Sequence, residues 1–395
     1  MPLPSSGVIK FSDINVELGV AANTSRKLSD SAVRTLFEIA SGRITLSNGF
    51  GKSNLRTVIA MSSALAPYVY AWPWSNGFGA KYADPSAALS SPGSLKFTHS
   101  STAIAVVQSG TPGIVAYSWS SGFGSKYADP ATPPPTIVTT IAFTPSDDAI
   151  AVASTTGIRI SAYSWSNTTG VGIKYADPAS LPLGARGQGV CFNPQGTVLA
   201  MVQRSYVEAW SFSSGFGSKY TSPTQLGSGN NLSAITFNPQ GTALAVPVAN
   251  IAPYIHVWAW SNGFGSKYAA PATPIGSNPL WSPQGSAWNA TFSPSGNAIA
   301  VGHNHFPFVT VYAWSNGFGS KYADPVTPIN LNYGMDQVSS VGFNISETVI
   351  VLCAYQYQGT GGIMQAYVWS NGFGAKYADP ANAPTNSSRL AVNYI

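Results

Sequence analysis

The sequence predicts an all-β protein: a seven-bladed β-propeller of four-stranded blades, closed by the C-terminal strand and preceded by a small, mostly helical N-terminal module. Three observations lead there: a composition poor in charge, a segment that recurs seven times, and chain ends that complement each other. Charged residues make up 8% of the 395 residues, against roughly 25% in an average soluble domain, while Gly (39), Pro (29), Tyr (19), Phe (18) and Trp (11) are abundant. Helix surfaces draw on Glu, Lys, Arg and Gln, whereas turn residues alternating with aromatic and β-branched residues make many short strands. An apolar content of 44% offsets chain entropy and excludes disorder.

Residues 1–56 stand apart in pattern. FSDINVELG and LSDSAVRTLFEIASG each open on a Ser or Asp cap and carry apolar residues at helical spacing, the second stopping at Gly42. Two short helices followed by ITLSNGFGKS are expected here. The start, MPLPSSGVIKFSD, lacks the basic and apolar regions of a signal peptide, and no run reaches the ~18 apolar residues of a membrane span.

From residue 57 to 395 the chain repeats. WSNGFGAKYADP at Trp74 returns as variants at Trp119, Trp165, Trp210, Trp260, Trp314 and Trp369, a spacing that fits a unit of four short strands with turns. In the copy at 233–271, SAITFNP alternates towards Phe237, Asn238-Pro239-Gln240-Gly241 turns the chain into ALAV, PYIHVWAW alternates again, and Ser261-Asn262-Gly263-Phe264-Gly265 turns into a short strand SKYAA. Such a sheet cannot bury both faces alone, so successive sheets must stack, and a closed stack is a propeller. The first unit lacks its first strand, and SSRLAVNYI ends the chain with Tyr394 at the same offset from Pro380 as Phe192 has from Pro178. The last strand is therefore expected to complete the first blade and remove exposed edges.

These residues carry two resemblances. FNPQGTALAV and VWAWS make the propeller similar to WD-repeat-like proteins, although Ser replaces the Asp after Trp and the Gly-His dipeptide is missing from most units. SGVIKFSDINVELG, LSDSAVRTLF, SGRITLSNGFGKS and the WSNGFGSKYADP tandem resemble modules of tailed-bacteriophage virion structural proteins. The second resemblance implies a non-enzymatic virion protein, made in the host cytoplasm, tail-associated and homo-oligomeric in the particle. Residues 1–56 would dock to other virion proteins, and the propeller would serve as an adhesion platform for a host-surface glycan or protein. A purely architectural role in head, tail or baseplate is the alternative, and a cellular WD-repeat-like adaptor a third reading.

Little in the residues points to chemistry. The net charge of +5 is a balance of 19 bases and 14 acids, with no clustered basic face for nucleic acid or membrane. The repeated lysines 81, 126, 174, 219, 267, 321 and 376 are followed three residues later by Asp in five cases, which suits solvated pairs rather than a polyanion crown. The seven repeat tryptophans suit packing between blades. Cys191 and Cys353 lie in apolar runs and read as free thiols. GFGKS at Gly49 lacks the first Gly of a phosphate-binding loop, with Leu46 in its place. His303-Asn304-His305 has no further metal ligand at suitable spacing, and neither a catalytic triad order nor a zinc-protease motif occurs. No enzyme activity and no cofactor or metal are therefore expected. Binding is assigned instead to the variable loops at one end of the propeller, with Trp281, Trp288, His303, His305, Tyr333, Asp336, Tyr355 and Tyr357 as ligand candidates, because varied loops on a rigid scaffold host recognition.

Overall fold

The computed structural model describes residues 9–18, 21, 23–25, 27–37, 57–63, 66–87, 89–90, 92–226, 232–275, 286–329, 331, 336–355, 363–384 and 387–394. Two compact units emerge, Met1–Thr57 with Tyr394–Ile395, and Val58–Asn393. In the first, α1 (Phe11–Glu17) and α2 (Ser31–Phe37) bring Ile9, Ile14, Val33 and Leu36 into one small apolar cluster. Asp13 and Asp30 accept hydrogen bonds from the Lys10 and Lys27 backbone amides just ahead of the two helices. Residues 38–56, including Gly42 and GFGKS, lie outside the described residues. No described helix is long and apolar enough to cross a membrane.

The second unit is an all-β propeller of antiparallel four-stranded blades. After β1 (Thr57–Ser63) and β2 (Val69–Trp74), the first blade is β3 (Pro92–Phe97), β4 (Ala103–Gln108), β5 (Ile114–Trp119) and β6 (Phe123–Lys126). The second is β7 (Val138–Phe143), β8 (Ala149–Ser154), β9 (Ile160–Ser166) and β10 (Gly170–Lys174), and the third β11 (Gly187–Phe192), β12 (Val198–Gln203), β13 (Tyr206–Phe212) and β14 (Phe216–Lys219). The fourth comprises β15 (Thr236–Phe237), β16 (Ala243–Pro247), β17 (Ile255–Trp260) and β18 (Phe264–Lys267). The fifth has β19 (Ala287–Phe292), β20 (Ala298–His303), β21 (Val309–Trp314) and β22 (Phe318–Lys321), and the sixth β23 (Gln337–Phe343), β24 (Val349–Tyr355), β25 (Ile363–Trp369) and β26 (Phe373–Lys376).

Six blades with four strands form, not the seven expected. The remaining sheet has three strands in the order β2-β1-β27, with β27 spanning Ser387–Tyr394. Its fourth strand shrinks to one bridge, Trp74 to Phe78, whereas the other units pair over a full short strand. The physical reason is Pro73, which stands where other units have Ser118, Ser164, Ser211, Ala259, Ala313 or Val368. Proline has no N–H to donate to the ladder. The fourth strands also begin earlier than expected, at the Phe of Phe-Gly-Ser-Lys, because the preceding Ser-Asn-Gly alone turns the chain.

The core lies between blades. In the six four-stranded blades the repeat aromatic packs edge-on against the Phe of its own inner strand and the Tyr of the preceding unit: Trp119 sits 5.0 Å from Phe97 and 5.3 Å from Tyr82, and Trp314 is 5.2 Å from both Phe292 and Tyr268. The last Tyr, Tyr377, packs 4.8 Å from Trp74, so one apolar cluster joins the sixth blade to the three-stranded sheet. The third blade departs from the sequence alignment. Phe212, not Trp210, pairs with Phe216 and meets Phe192 and Tyr175, while Trp210 pairs with Lys219 as Tyr117 does with Lys126. The repeat assignment of Trp210 is thus corrected by two residues.

The first-to-second-strand turns share a left-handed residue: Ser101, Asp147, Gly196, Gly241, Gly296 and Glu347 have φ between 52° and 78°. Two of the non-glycines carry carboxylates that clip the preceding blade. Asp147 accepts hydrogen bonds from the backbone N–H groups of His99 and Ser100, both at 2.7 Å, and Glu347 accepts one from Ser295 N–H. Burial raises the Asp147 carboxyl pKa, but the His99 and Ser100 hydrogen bonds outweigh it and hold it below the usual value. Asp147→Gly relieves about 1 kcal/mol of left-handed strain and loses two charge-assisted bonds worth roughly 1.5–3 kcal/mol each. A net loss of about 2–5 kcal/mol is expected in denaturant unfolding. An unchanged or higher midpoint would refute the clip.

Candidate functional site

The structure describes the side chains of four of the eight loop candidates. His303, His305 and Asp336 are buried at 0%, 5% and 4% exposure. His303 ends β20 opposite Ala287, and its Nε2 lies 2.9 Å from Thr310 Oγ1; its Nδ1 has no hydrogen-bond partner among the described residues. Burial, helped by the neighbouring His305 and Lys321, pushes its pKa down to about 3, so it is neutral near pH 7. Trp288 is half-buried at a bulge of β19, and its carbonyl accepts a hydrogen bond from Ser233 Oγ. Asn304 and Ser286 exchange hydrogen bonds, and Ser286 Oγ reaches Asn250 Oδ1. Two of these contacts, from Ser233 and Asn250, join the fourth blade to the fifth. Trp281, Tyr333 and Tyr357 lie outside the described residues, as does the side chain of Tyr355, which ends β24.

A charged side chain stands on the inner strands. Consecutive inner strands pack side by side with one edge unpaired, leaving an axial channel between them. The residues just before the inner-strand Phe occupy equivalent places: Lys96, Ala142, Cys191, Thr236, Thr291 and Gly342. Lys96 is the one charged side chain among those described on the inner strands, and it is exposed to water in that channel. Protein surrounds it nonetheless, and this desolvation lowers its ammonium pKa, opposed by the charge interaction with Cys191. The Cys191 thiol is pushed up to about 12 by burial, despite a hydrogen bond from Phe237 and the pull of Lys96, so it stays protonated and inert. Thr236 and Thr291 donate their hydroxyls to the carbonyls of Phe237 and Phe292, leaving oxygen lone pairs free to accept. Sequence reasoning missed Lys96 because it lies outside the repeated twelve residues. Aligning the units on the inner-strand Phe would have exposed it as the lone cation in a neutral column.

The repeated lysines are engaged elsewhere. Lys81, Lys126, Lys174, Lys321 and Lys376 pair with Asp84, Asp129, Asp177, Asp324 and Asp379. Lys219, whose unit has no such Asp, pairs with the buried Glu208 and lies over the Trp210 ring. Both cysteines are free. Among the described residues no cluster of three His, Cys, Asp or Glu side chains could hold a metal ion. An open hollow between the first two blades, lined by Ser118, Tyr127 and Asn167–Thr169, includes Lys126, which is already neutralised by Asp129.

No protein-family model matches the chain, and no curated protein matches it. Solved structures do. A candidate 6-phosphogluconolactonase from Bacteroides uniformis aligns at 12% identity and TM-score 0.62, covering 86% of this chain and 99% of that one. The periplasmic gluconolactonase of Pseudomonas aeruginosa aligns at 11% identity and TM-score 0.62 with the same coverage. A protein from Lactobacillus plantarum gives 13% and 0.63. At such identity the likeness is one of fold. It overturns two expectations: the propeller's neighbours bear the names of lactone hydrolases, so the reading as a non-enzymatic virion adhesion platform and the expectation of no enzyme activity are both withdrawn.

Proposed function

We propose that this protein is a propeller hydrolase that opens a sugar-acid lactone in its axial channel, with Lys96 as the catalytic base. The three-stranded sheet serves in this reading as the seventh blade, so that the channel is walled on all sides. The single observation carrying the proposal is Lys96, a lone amine among neutral small residues on the inner strands, with its pKa lowered by desolvation. Desolvation favours the uncharged amine, the form that can act as a general base. Neutral Lys96 takes a proton from water, the hydroxide attacks the lactone carbonyl, and the ring C–O bond breaks. The departing alkoxide recovers the proton from the Lys96 ammonium, leaving a hydroxy acid. Thr236 and Thr291 accept hydrogen bonds from substrate hydroxyls. The lactone class is supported by what the neighbouring propellers are named for.

The test is acid release from δ-gluconolactone and 6-phosphogluconolactone at constant pH. Wild-type protein is expected to exceed the spontaneous rate, Lys96→Met to lose at least ~100-fold, within the range of general-base catalysis, and Lys96→Arg to lose as much, since a guanidinium cannot act as base near neutrality. Spontaneous rates with wild-type protein, or full activity in Lys96→Met, would sink the assignment.

A further inference from the structure

The third and fourth blades differ at an outer-strand position, Glu208 against His256. In the third blade Glu208 on β13 is fully buried and receives hydrogen bonds from Lys219 Nζ, Gln203 Nε2 and the Leu183 backbone N–H. Trp210 lies two residues further along the strand and pairs with Lys219. The fourth blade keeps this frame: Trp258 pairs with Lys267 in the same register, and His256 takes the place of Glu208 two residues before the tryptophan. The carboxylate is gone. Ala270 also replaces the Asp that pairs with the lysine in five other units, so Lys267 has no carboxylate partner among the described residues. His256 is 6% exposed, its ring is 5.9 Å from that of Trp258, and its Nδ1 has no hydrogen-bond partner among the described residues.

We propose that Lys267 and His256 form a binding site for a small carboxylate, which pairs with Lys267 as Glu208 pairs with Lys219 in the blade before. The ammonium supplies the charge and the imidazole Nδ1–H a directed donor, the pairing of cation and hydrogen bond that suits a carboxylate oxygen. Burial and the Lys267 charge keep His256 neutral, its pKa lowered to about 4, so it acts as a donor through its tautomer and not as a second cation. The site is on the outer strands of the fourth blade, and its existence does not depend on hydrolysis in the channel.

Acetate is the probe, titrated at pH 7.5 and constant ionic strength with chloride as counterpart, while the His256 ring resonances are followed by NMR. A saturable shift with acetate and none with chloride is expected, together with at least ten-fold weaker binding in Lys267→Met. His256→Glu recreates the third-blade pair within the chain. It is expected to raise the thermal midpoint without acetate and to abolish any acetate-dependent rise. Identical responses to acetate and chloride, or unchanged binding in Lys267→Met, would overturn the site. So would an acetate-dependent midpoint that survives in His256→Glu.

Discussion

Replacing Trp74 with alanine is expected to destabilise the propeller by about 3–5 kcal/mol, the range for deleting a large buried aromatic. Trp74 is 8% exposed and packs edge-on against Phe78 at 4.9 Å and Tyr377 at 4.8 Å. Tyr377 belongs to the last repeat, so this contact joins residues about three hundred positions apart. Trp314, with the same edge-on geometry between the fourth and fifth blades, is the internal comparison. Both variants lower the unfolding midpoint, but Trp74→Ala acts at the meeting of the chain ends. It should therefore also speed proteolysis near Trp74 and the C-terminal strand, where Trp314→Ala should not. Denaturant unfolding and limited proteolysis with mass mapping check this. Equal cleavage patterns in the two variants would contradict the closing role of Tyr377 and Trp74.

Acid is expected to destabilise the protein steeply between pH 6.5 and 4. His303 and His256 are buried and neutral, with pKa values lowered to about 3 and about 4, while an unfolded histidine titrates near 6.5. The unfolded chain therefore binds protons in this window that the folded chain refuses. Stability from each imidazole is complete above pH 6.5 and is lost as pH falls towards the folded value. At about 1.4 kcal/mol per pKa unit, a change from pH 7 to 4.5 removes roughly 2–3 kcal/mol per histidine. His303→Asn and His256→Gln lower stability at pH 7 and flatten the acid limb; the double variant flattens it most. A wild-type stability that is level from pH 7 to 4.5 would refute the buried neutral state of both rings.

Particular residues show where local pattern stops being informative. The strands, their turns and the order of elements follow from alternation and from Gly, Pro and Asn at the turns, because these constraints act within a few residues. Pro73 was equally visible, yet its effect on pairing appears only when its neighbour strand is placed beside it. Trp210 matched the repeat by letter, but the register of β13 against β14 puts Phe212 in the shared aromatic position. The loop histidines looked like exposed ligands because they sit among polar residues in a variable stretch. In the folded chain His303 is covered completely.

Lys96 and the Glu208–Lys219 pair mark the boundary most clearly. A sevenfold repeat with alternating apolar residues dictates sheets that must stack, since each has two apolar faces and too little area to bury both alone. That much is local chemistry multiplied seven times. Which single lysine enters the axis, which carboxylate is sealed against which ammonium, and which unit is left without one depend on residues from different strands and blades meeting in space. Burial and electrostatic energy are set by everything around a group and not by its neighbours in the chain. The repeat therefore specifies the scaffold, and the departures from it acquire meaning only when the blades stand side by side.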